Sequence, residues 1–194
     1  MKYEEYVKLQ TYGDIVKPIK YHIGEWKALC EFLEVHGTSN EKVLDVGCGS
    51  GYGVGMLNLL GYWDVLGIDL NLEKINLGKH FGYNVIAKDI LDFSGEGYSI
   101  IWCSHAFEHM YDPEKALQKL LDITTDDARF YFILPYPNLD PAPAHCSSKA
   151  LGLTEDDNGW TVTAWFESRG LYVIDTQFST FREPEIWMEL RKRL

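Results

Sequence analysis

The run Val43-Leu44-Asp45-Val46-Gly47-Cys48-Gly49-Ser50-Gly51 passes from apolar residues into alternating glycines, and the segment Tyr52 to Leu60 after it is helix-compatible. This order reads as a buried strand, a tight turn and a helix N-terminus. Glycine allows a positive φ or a close backbone approach to a ligand, and a helix start adds unpaired N–H donors and the positive end of a dipole. The turn is therefore a ligand cradle, and its spacing narrows the ligand. Gly47, Gly49 and Gly51 make G-x-G-x-G, whereas the dinucleotide fingerprint G-x-G-x-x-G would need glycine in place of Tyr52. No Gly-Lys-Ser/Thr follows, so the phosphate-binding P-loop is excluded as well.

The surrounding chain has the material to build a sheet around this turn. At 194 residues and 46% hydrophobic content it is expected to form one domain, residues 1–194, with residues 1–40 as an N-terminal helical lid and 41–194 as the cofactor-binding core. There is no basic start followed by a long apolar run and no stretch of membrane-spanning length, so the expectation is a cytoplasmic protein without membrane association. Cys30, Cys48, Cys103 and Cys146 are scattered, which fits reduced thiols, with Cys48 and Cys103 as small buried residues. A formal charge of −11 opposes loose binding to nucleic acid, and the short basic tail Arg191-Lys192-Arg193 does not reverse it.

Upstream, Ile23, Trp26, Cys30 and Leu33 recur at helical spacing, with a stop at Gly37 and a linker over Thr38 to Glu41. The aromatics Tyr12, Tyr21 and Trp26, with His22, either close over a ligand or simply pack the helix on a sheet. Downstream, strands are expected over Trp63 to Asp69, Asn84 to Ala87, Tyr98 to Cys103, Phe130 to Leu134 and from Leu171 to Ile174. Helices are expected after the N-cap Asn71, from Asp112-Pro113-Glu114, and over Trp160 to Arg169 before Gly170. The last segment, Ile186 to Arg191, fits a strand better than a helix, and Asn138 to Ser147 is an irregular loop. Alternating strands and helices with nearly continuous apolar strands indicate an α/β fold with a parallel sheet covered on both faces.

In such sheets ligands bind at the carboxyl ends of strands, near the point where strand order reverses. Polar residues stand at several of these ends. Asp69, 18 positions after Gly51, is placed to take both hydroxyls of a ribose, and Asp89 to accept from an exocyclic amine. The fourth strand ends in Cys103-Ser104-His105 and the fifth in Pro135-Tyr136-Pro137-Asn138.

With these residues in place the chain resembles the class I S-adenosylmethionine-dependent methyltransferases. The resemblance rests on the 43–51 stretch, Gly67-Ile68-Asp69-Leu70, Lys88-Asp89-Ile90, and His105-Ala106-Phe107-Glu108-His109 followed by Asp112-Pro113. It implies a Rossmann-like three-layer sandwich whose seven-stranded sheet has the order 3-2-1-4-5-7-6, with an antiparallel last strand. It implies S-adenosyl-L-methionine as cofactor: the backbone of Gly47, Cys48 and Gly49 against the methionine moiety, Asp45 supporting its ammonium, Asp69 and Leu70 at the ribose, Asp89 and Ile90 at the adenine, and Ser104 beside them. The turn Thr124-Thr125-Asp126-Asp127 departs from the family, lacking its usual Gly-Gly. The implied activity is methyl transfer to an O, N or C atom of a small-molecule acceptor. His105 and His145 are then the candidate catalytic residues, in a pocket shared with the N-terminal helix, Tyr136 and Trp160.

His105, Glu108 and His109 also form H-x-x-E-H, the pattern of inverted zinc metalloproteases. A protease is rejected because the segment follows a sheet strand in a methyltransferase-like frame. Ubiquinone-pathway O-methyltransferases and small-RNA 2′-O-methyltransferases carry E-x-x-E-H at a similar position and bind a divalent ion there. The reading adopted assigns no metal ligand. A metal-assisted O-methyltransferase acting on a ribose hydroxyl or a catechol is one alternative, and a non-catalytic S-adenosylmethionine-binding regulatory module is the other. His109 is equally compatible with a structural histidine satisfied by a backbone carbonyl.

Overall fold

A computed structural model describes residues 1–11, 19–33 and 40–193. The expectations at Tyr12, at the Gly37 stop and at Thr38 lie outside the described residues. Two helices come first, α1 (Tyr3–Thr11) and α2 (Ile19–Leu33). They precede β1 (Lys42–Val46), α3 (Tyr52–Leu59), β2 (Asp64–Asp69), α4 (Leu72–His80) and β3 (Val85–Ala87). Then come β4 (Tyr98–Ser104), α5 (Pro113–Ile123), β5 (Thr124–Pro135), α6 (Trp160–Glu167), β6 (Leu171–Ser179) and β7 (Glu185–Lys192). No described helix is long and apolar enough to cross a membrane.

The strands form one seven-stranded sheet in the expected order β3-β2-β1-β4-β5-β7-β6. β1 through β5 pair in parallel, while β7 runs antiparallel to both β5 and β6. The final segment is thus a strand, as its alternation suggests. Side chains alternate between the two faces with the strand period of two. Val43, Ile100, Trp102, Tyr131, Ile133 and Trp187 meet α2 and α3 through Ala28, Leu29, Phe32 and Leu57. Leu44, Ile101, Phe130, Phe132 and Met188 meet α5 and α6 through Leu117, Leu120, Val162 and Phe166. Both faces being covered explains the uninterrupted apolar runs Val43–Leu44, Ile100–Cys103 and Phe130–Leu134 in the central strands.

Local signals set the element ends. Asn71 caps α4 by accepting from Lys74 N at 3.1 Å, and Asp112 caps α5 by accepting from Lys115 N, also at 3.1 Å, with Pro113 in the first turn. The turn without Gly-Gly takes another form: β5 begins at Thr124, opposite Tyr98, and the register then jumps so that Ile100 faces Arg129. Residues 125–128 are accommodated as an irregularity within the strand, the hydroxyl of Thr125 donating to Asp127 Oδ1 at 2.7 Å.

The face of α2 differs from the expected one. Of the expected positions Leu33 is buried but Ile23 is 48% exposed, and Ala28, Leu29 and Phe32 supply the rest of the buried face. The helix is rotated so that its small and aliphatic residues contact α3 and the sheet, leaving Glu25 towards the glycine turn. Cys103 is buried as expected, but Cys48 is only half-buried, because it sits on the open side of that turn.

Candidate functional site

Three glycines shape the turn after β1. Gly47, Gly49 and Gly51 all have positive φ, at 74°, 55° and 78°. At Gly47 a side chain is also excluded by space, since a Cβ there would stand 2.2 Å from that of Ala106. The backbone N–H groups of Gly47 and Cys48 both donate to Ile68 O, at 2.8 and 3.0 Å, which ties the turn to β2. Asp69 completes the tie: its Oδ2 accepts from Gly49 N at 2.8 Å and its Oδ1 from Asn71 N at 2.7 Å. One carboxylate thus fixes the turn and the entry to α4 together.

The turn opens onto a cavity of about 550 Å³ at the carboxyl ends of the strands. Gly47, Cys48, Gly49, Asp69, Leu70, Asp89, Ile90, Ser104, His105 and His145 all line it. Asp45 does not; it lies behind the turn, 2% exposed, and its Oδ2 has no hydrogen-bond partner among the described residues. Burial, then the charges of Glu25 and Asp69, push its carboxyl well above the ordinary range. Ser104 Oγ is likewise buried without a partner among the described residues. At Asp89, Oδ1 accepts from Leu91 N at 2.9 Å and Oδ2 takes the hydroxyl of Tyr3, so α1 lies over this end of the cavity.

The C-terminal end of α1 is held by two contacts: Thr11 O accepts from Asn71 Nδ2 at 3.0 Å, and the neighbouring Gln10 Nε2 donates to Ala144 O at 2.9 Å. Tyr6 and Gln10 line the cavity.

The far end is built around His105, held at φ 48° with its N–H donating to Ile133 O at 2.8 Å. Its Nε2 lies 2.8 Å from Glu185 Oε2, at the start of β7. That oxygen also accepts from Arg182 Nη2 at 2.9 Å, and Glu185 Oε1 accepts from Trp187 Nε1, also at 2.9 Å. Burial alone would push the Glu185 carboxyl up, but the hydrogen bond from His105 and the Arg182 charge hold it below its ordinary value. An ionised Glu185 only accepts, so Nε2 is the ring nitrogen that donates to it. Nδ1 stands 3.6 Å from Glu183 Oε1 and 3.7 Å from Glu108 Oε1. A proton arriving at Nδ1 would meet two carboxylates.

His109 and His145 line the cavity on the other side of Glu108 Oε1, which stands 3.6 Å from His109 Nε2, and their rings meet edge to face at 4.6 Å. His109 Nδ1 lies 2.9 Å from Ala144 O, the backbone-carbonyl arrangement expected of a structural histidine, and His145 Nδ1 lies 3.0 Å from Asn138 Nδ2. Glu108, His109 and His145 each bring a ligand atom within 4.8 Å of the others. Tyr136 and Trp160 are not at this site. The Tyr136 hydroxyl is turned to Asp157 and Gly159, where it accepts from Gly159 N at 2.6 Å, and Trp160 is 74% exposed. The residues that sequence patterns missed are Tyr6 and Gln10 of α1, Glu25 of α2, and the Arg182-Glu183-Pro184-Glu185 corner before β7. The corner's charge run beside a proline was the one available signal.

A model of a methyltransferase domain matches residues 20–178. An uncharacterized methyltransferase of Bacillus subtilis is 25% identical over 113 residues, covering 53% of this chain. The match spans 44% of that relative's length. Among solved structures, a magnesium protoporphyrin IX methyltransferase of Synechocystis with bound S-adenosylhomocysteine superposes with a TM-score of 0.68 at 14% identity, covering 98% of this chain and 94% of that one. An S-adenosylmethionine-dependent methyltransferase of Aquifex aeolicus gives 0.67 at 19% identity, with 98% of each chain covered. The plantazolicin methyltransferase, also with S-adenosylhomocysteine, gives 0.60 at 16% identity over 90% of this chain and 84% of that one. At these identities the likeness speaks for the fold.

Proposed function

The chain belongs to the methyltransferase-domain family, and from that premise we propose that it transfers the methyl group of S-adenosylmethionine to an O, N or C atom of a small-molecule acceptor. The observation that carries this is the glycine turn opening onto a cavity of about 550 Å³ with Asp69 and Asp89 at the ends of adjacent strands. The residues fit the cofactor. Gly47 and Gly49 leave room for a chain to lie against the backbone, Asp69 and Leu70 border a ribose position, and Asp89 and Ile90 an adenine position. Cys48 and Ser104 complete that half, with Ser104 Oγ available for a hydrogen bond, and Asp45 supports it from behind the turn. Residues 1–40 act as the lid, α1 anchored through Gln10 and Thr11.

The cofactor supplies an activated methyl group, so the chain's own work is positioning, exclusion of water and removal of one proton from the acceptor. His105 takes that proton at Nδ1. Glu185 fixes its tautomer and ring, while Arg182 and Trp187 fix Glu185. His145 walls the acceptor side. Calorimetric titration with S-adenosylmethionine and S-adenosylhomocysteine tests the cofactor. Transfer of labelled methyl groups into a metabolite extract tests the activity, and binding without any transfer would favour the regulatory alternative.

The Glu108, His109 and His145 cluster favours a second reading, a metal-assisted O-methyltransferase acting on a ribose hydroxyl or a catechol. Two imidazoles and one carboxylate suit zinc, manganese or iron better than magnesium, and an ion there would acidify an acceptor hydroxyl. Metal content of the purified protein and sensitivity to a chelator decide between the readings.

A further inference from the structure

Charge around His105 is one-sided. Glu185 Oε2 lies 2.8 Å from Nε2, while Glu183 Oε1 and Glu108 Oε1 lie 3.6 and 3.7 Å from Nδ1. One guanidinium answers these three carboxylates, and it is committed. Arg182 gives Nε and Nη2 to Glu185 Oε2 at 3.2 and 2.9 Å and Nη1 to Tyr21 O at 3.3 Å, and its side chain is 4% exposed. α2 packs it in place, since a Cβ on Gly24 would stand 2.5 Å from Arg182 Cγ and Cδ. The remaining lysines among the described lining residues belong to the other end of the cavity: Lys74 lies against Gly49, and Lys88 precedes Asp89. Glu108 is buried, whereas the Glu183 side chain, 42% exposed, stands where the cavity meets solvent, and its ionic partner among the described residues is His105.

We propose that the acceptor is a primary or secondary amine on a cationic small molecule, and that Glu183 selects it at the cavity opening. The proposal rests on the methyltransferase reading above and deepens it to one acceptor atom. Methyl transfer from a sulfonium moves positive charge from sulfur to the acceptor. The incoming ammonium first gives one proton to His105; its lone pair then forms the N–CH3 bond as the S–CH3 bond breaks, the bonding pair stays on sulfur, and the nitrogen ends as a methylated ammonium. Carboxylates fixed around that point favour both the arriving cation and the charge that develops on nitrogen in the transition state. A hydroxyl acceptor runs the other way, because it gains negative charge as it loses its proton, and the same carboxylates oppose that. A carboxylate or phosphate acceptor would be repelled on approach.

The test uses methyl-labelled S-adenosylmethionine and a metabolite extract split in two. One half is treated with N-hydroxysuccinimidyl acetate, which caps primary and secondary amines, and then with hydroxylamine, which frees any capped hydroxyl. The proposal expects label to enter the untreated half, in a product retained by a cation exchanger at neutral pH and stable to alkali, and to be lost from the capped half. Glu183→Gln should raise the half-saturating amount of extract about three- to tenfold, its exposure keeping the loss below that of a buried pair, with S-adenosylhomocysteine affinity within about twofold of the wild type. Glu183→Asp, which keeps the charge, should stay nearer the wild type. Label that survives capping, binds an anion exchanger or is released by alkali would overturn the amine acceptor and leave the methyltransferase reading standing. No transfer into either half would overturn that reading and the amine with it. An unchanged half-saturating amount in Glu183→Gln, or an equal rise in Glu183→Asp, would overturn selection by the Glu183 charge.

Discussion

The two ends of the cavity are built by different means. The end proposed for the cofactor is made of backbone: a glycine turn between β1 and α3, two N–H groups tied to Ile68 O, and two carboxylates, Asp69 as the last residue of β2 and Asp89 two residues past β3. The end proposed for the acceptor is made of side chains gathered from far apart, with His105 after β4, His145 from the loop after β5, Glu183 from the corner before β7 and Glu185 at its start. A backbone site is dictated by local conformation, and it tolerates little change. A side-chain site depends on tertiary packing, and it can be retuned one residue at a time while the fold stays as it is.

The largest expected effect tests the acceptor end. His105→Gln should lower methyl transfer by about 10² to 10⁴-fold, the range for loss of a general base, with cofactor affinity nearly unchanged. A fall in both would show that the two ends are not separable. On the cofactor side, Gly47→Ala should cost about 2–4 kcal/mol of stability, from a strained positive φ and a clash with Ala106, read as a lowered melting temperature. Asp69→Ala should weaken S-adenosylhomocysteine by about 1–3 kcal/mol, because the amides of Gly49 and Asn71 lose their acceptor along with the ribose.

The smallest effect is a pH dependence that sharpens the contrast. Glu185 is held below its ordinary value, so its contribution to stability is present above the unfolded carboxyl range and is lost as pH falls through the folded value. Asp45 is raised, so it binds its proton more tightly when folded, and its contribution declines as pH rises from the ordinary carboxyl range. Glu185→Gln should flatten the acidic limb of a melting-temperature profile, and Asp45→Asn should remove a decline on the other side. Identical profiles for both variants would contradict the opposite environments assigned to the two carboxylates.

This division also explains what could be read from sequence. The strand ends could be read from the 43–51 stretch, Asp69 and Asp89, because glycine spacing and strand-end acids are local consequences of backbone geometry; the sheet order was legible only through the family resemblance that these residues carry. The face of α2 was misjudged because Ile23 and Trp26 satisfy helical spacing, while packing on α3 selects Ala28, Leu29 and Phe32. Tyr136 and Trp160 were expected in the pocket from their place in the chain, but the Tyr136 hydroxyl is turned to Gly159. Glu185 escaped notice because its partner His105 is 80 positions away.

The account stands most directly on one titration. S-Adenosylhomocysteine added to the wild-type chain in a calorimeter should bind at one site per chain and raise the melting temperature, and Asp69→Ala should weaken that binding. No heat and no thermal shift at millimolar ligand would contradict the central claim that the glycine turn and the two strand-end aspartates hold an adenosyl cofactor.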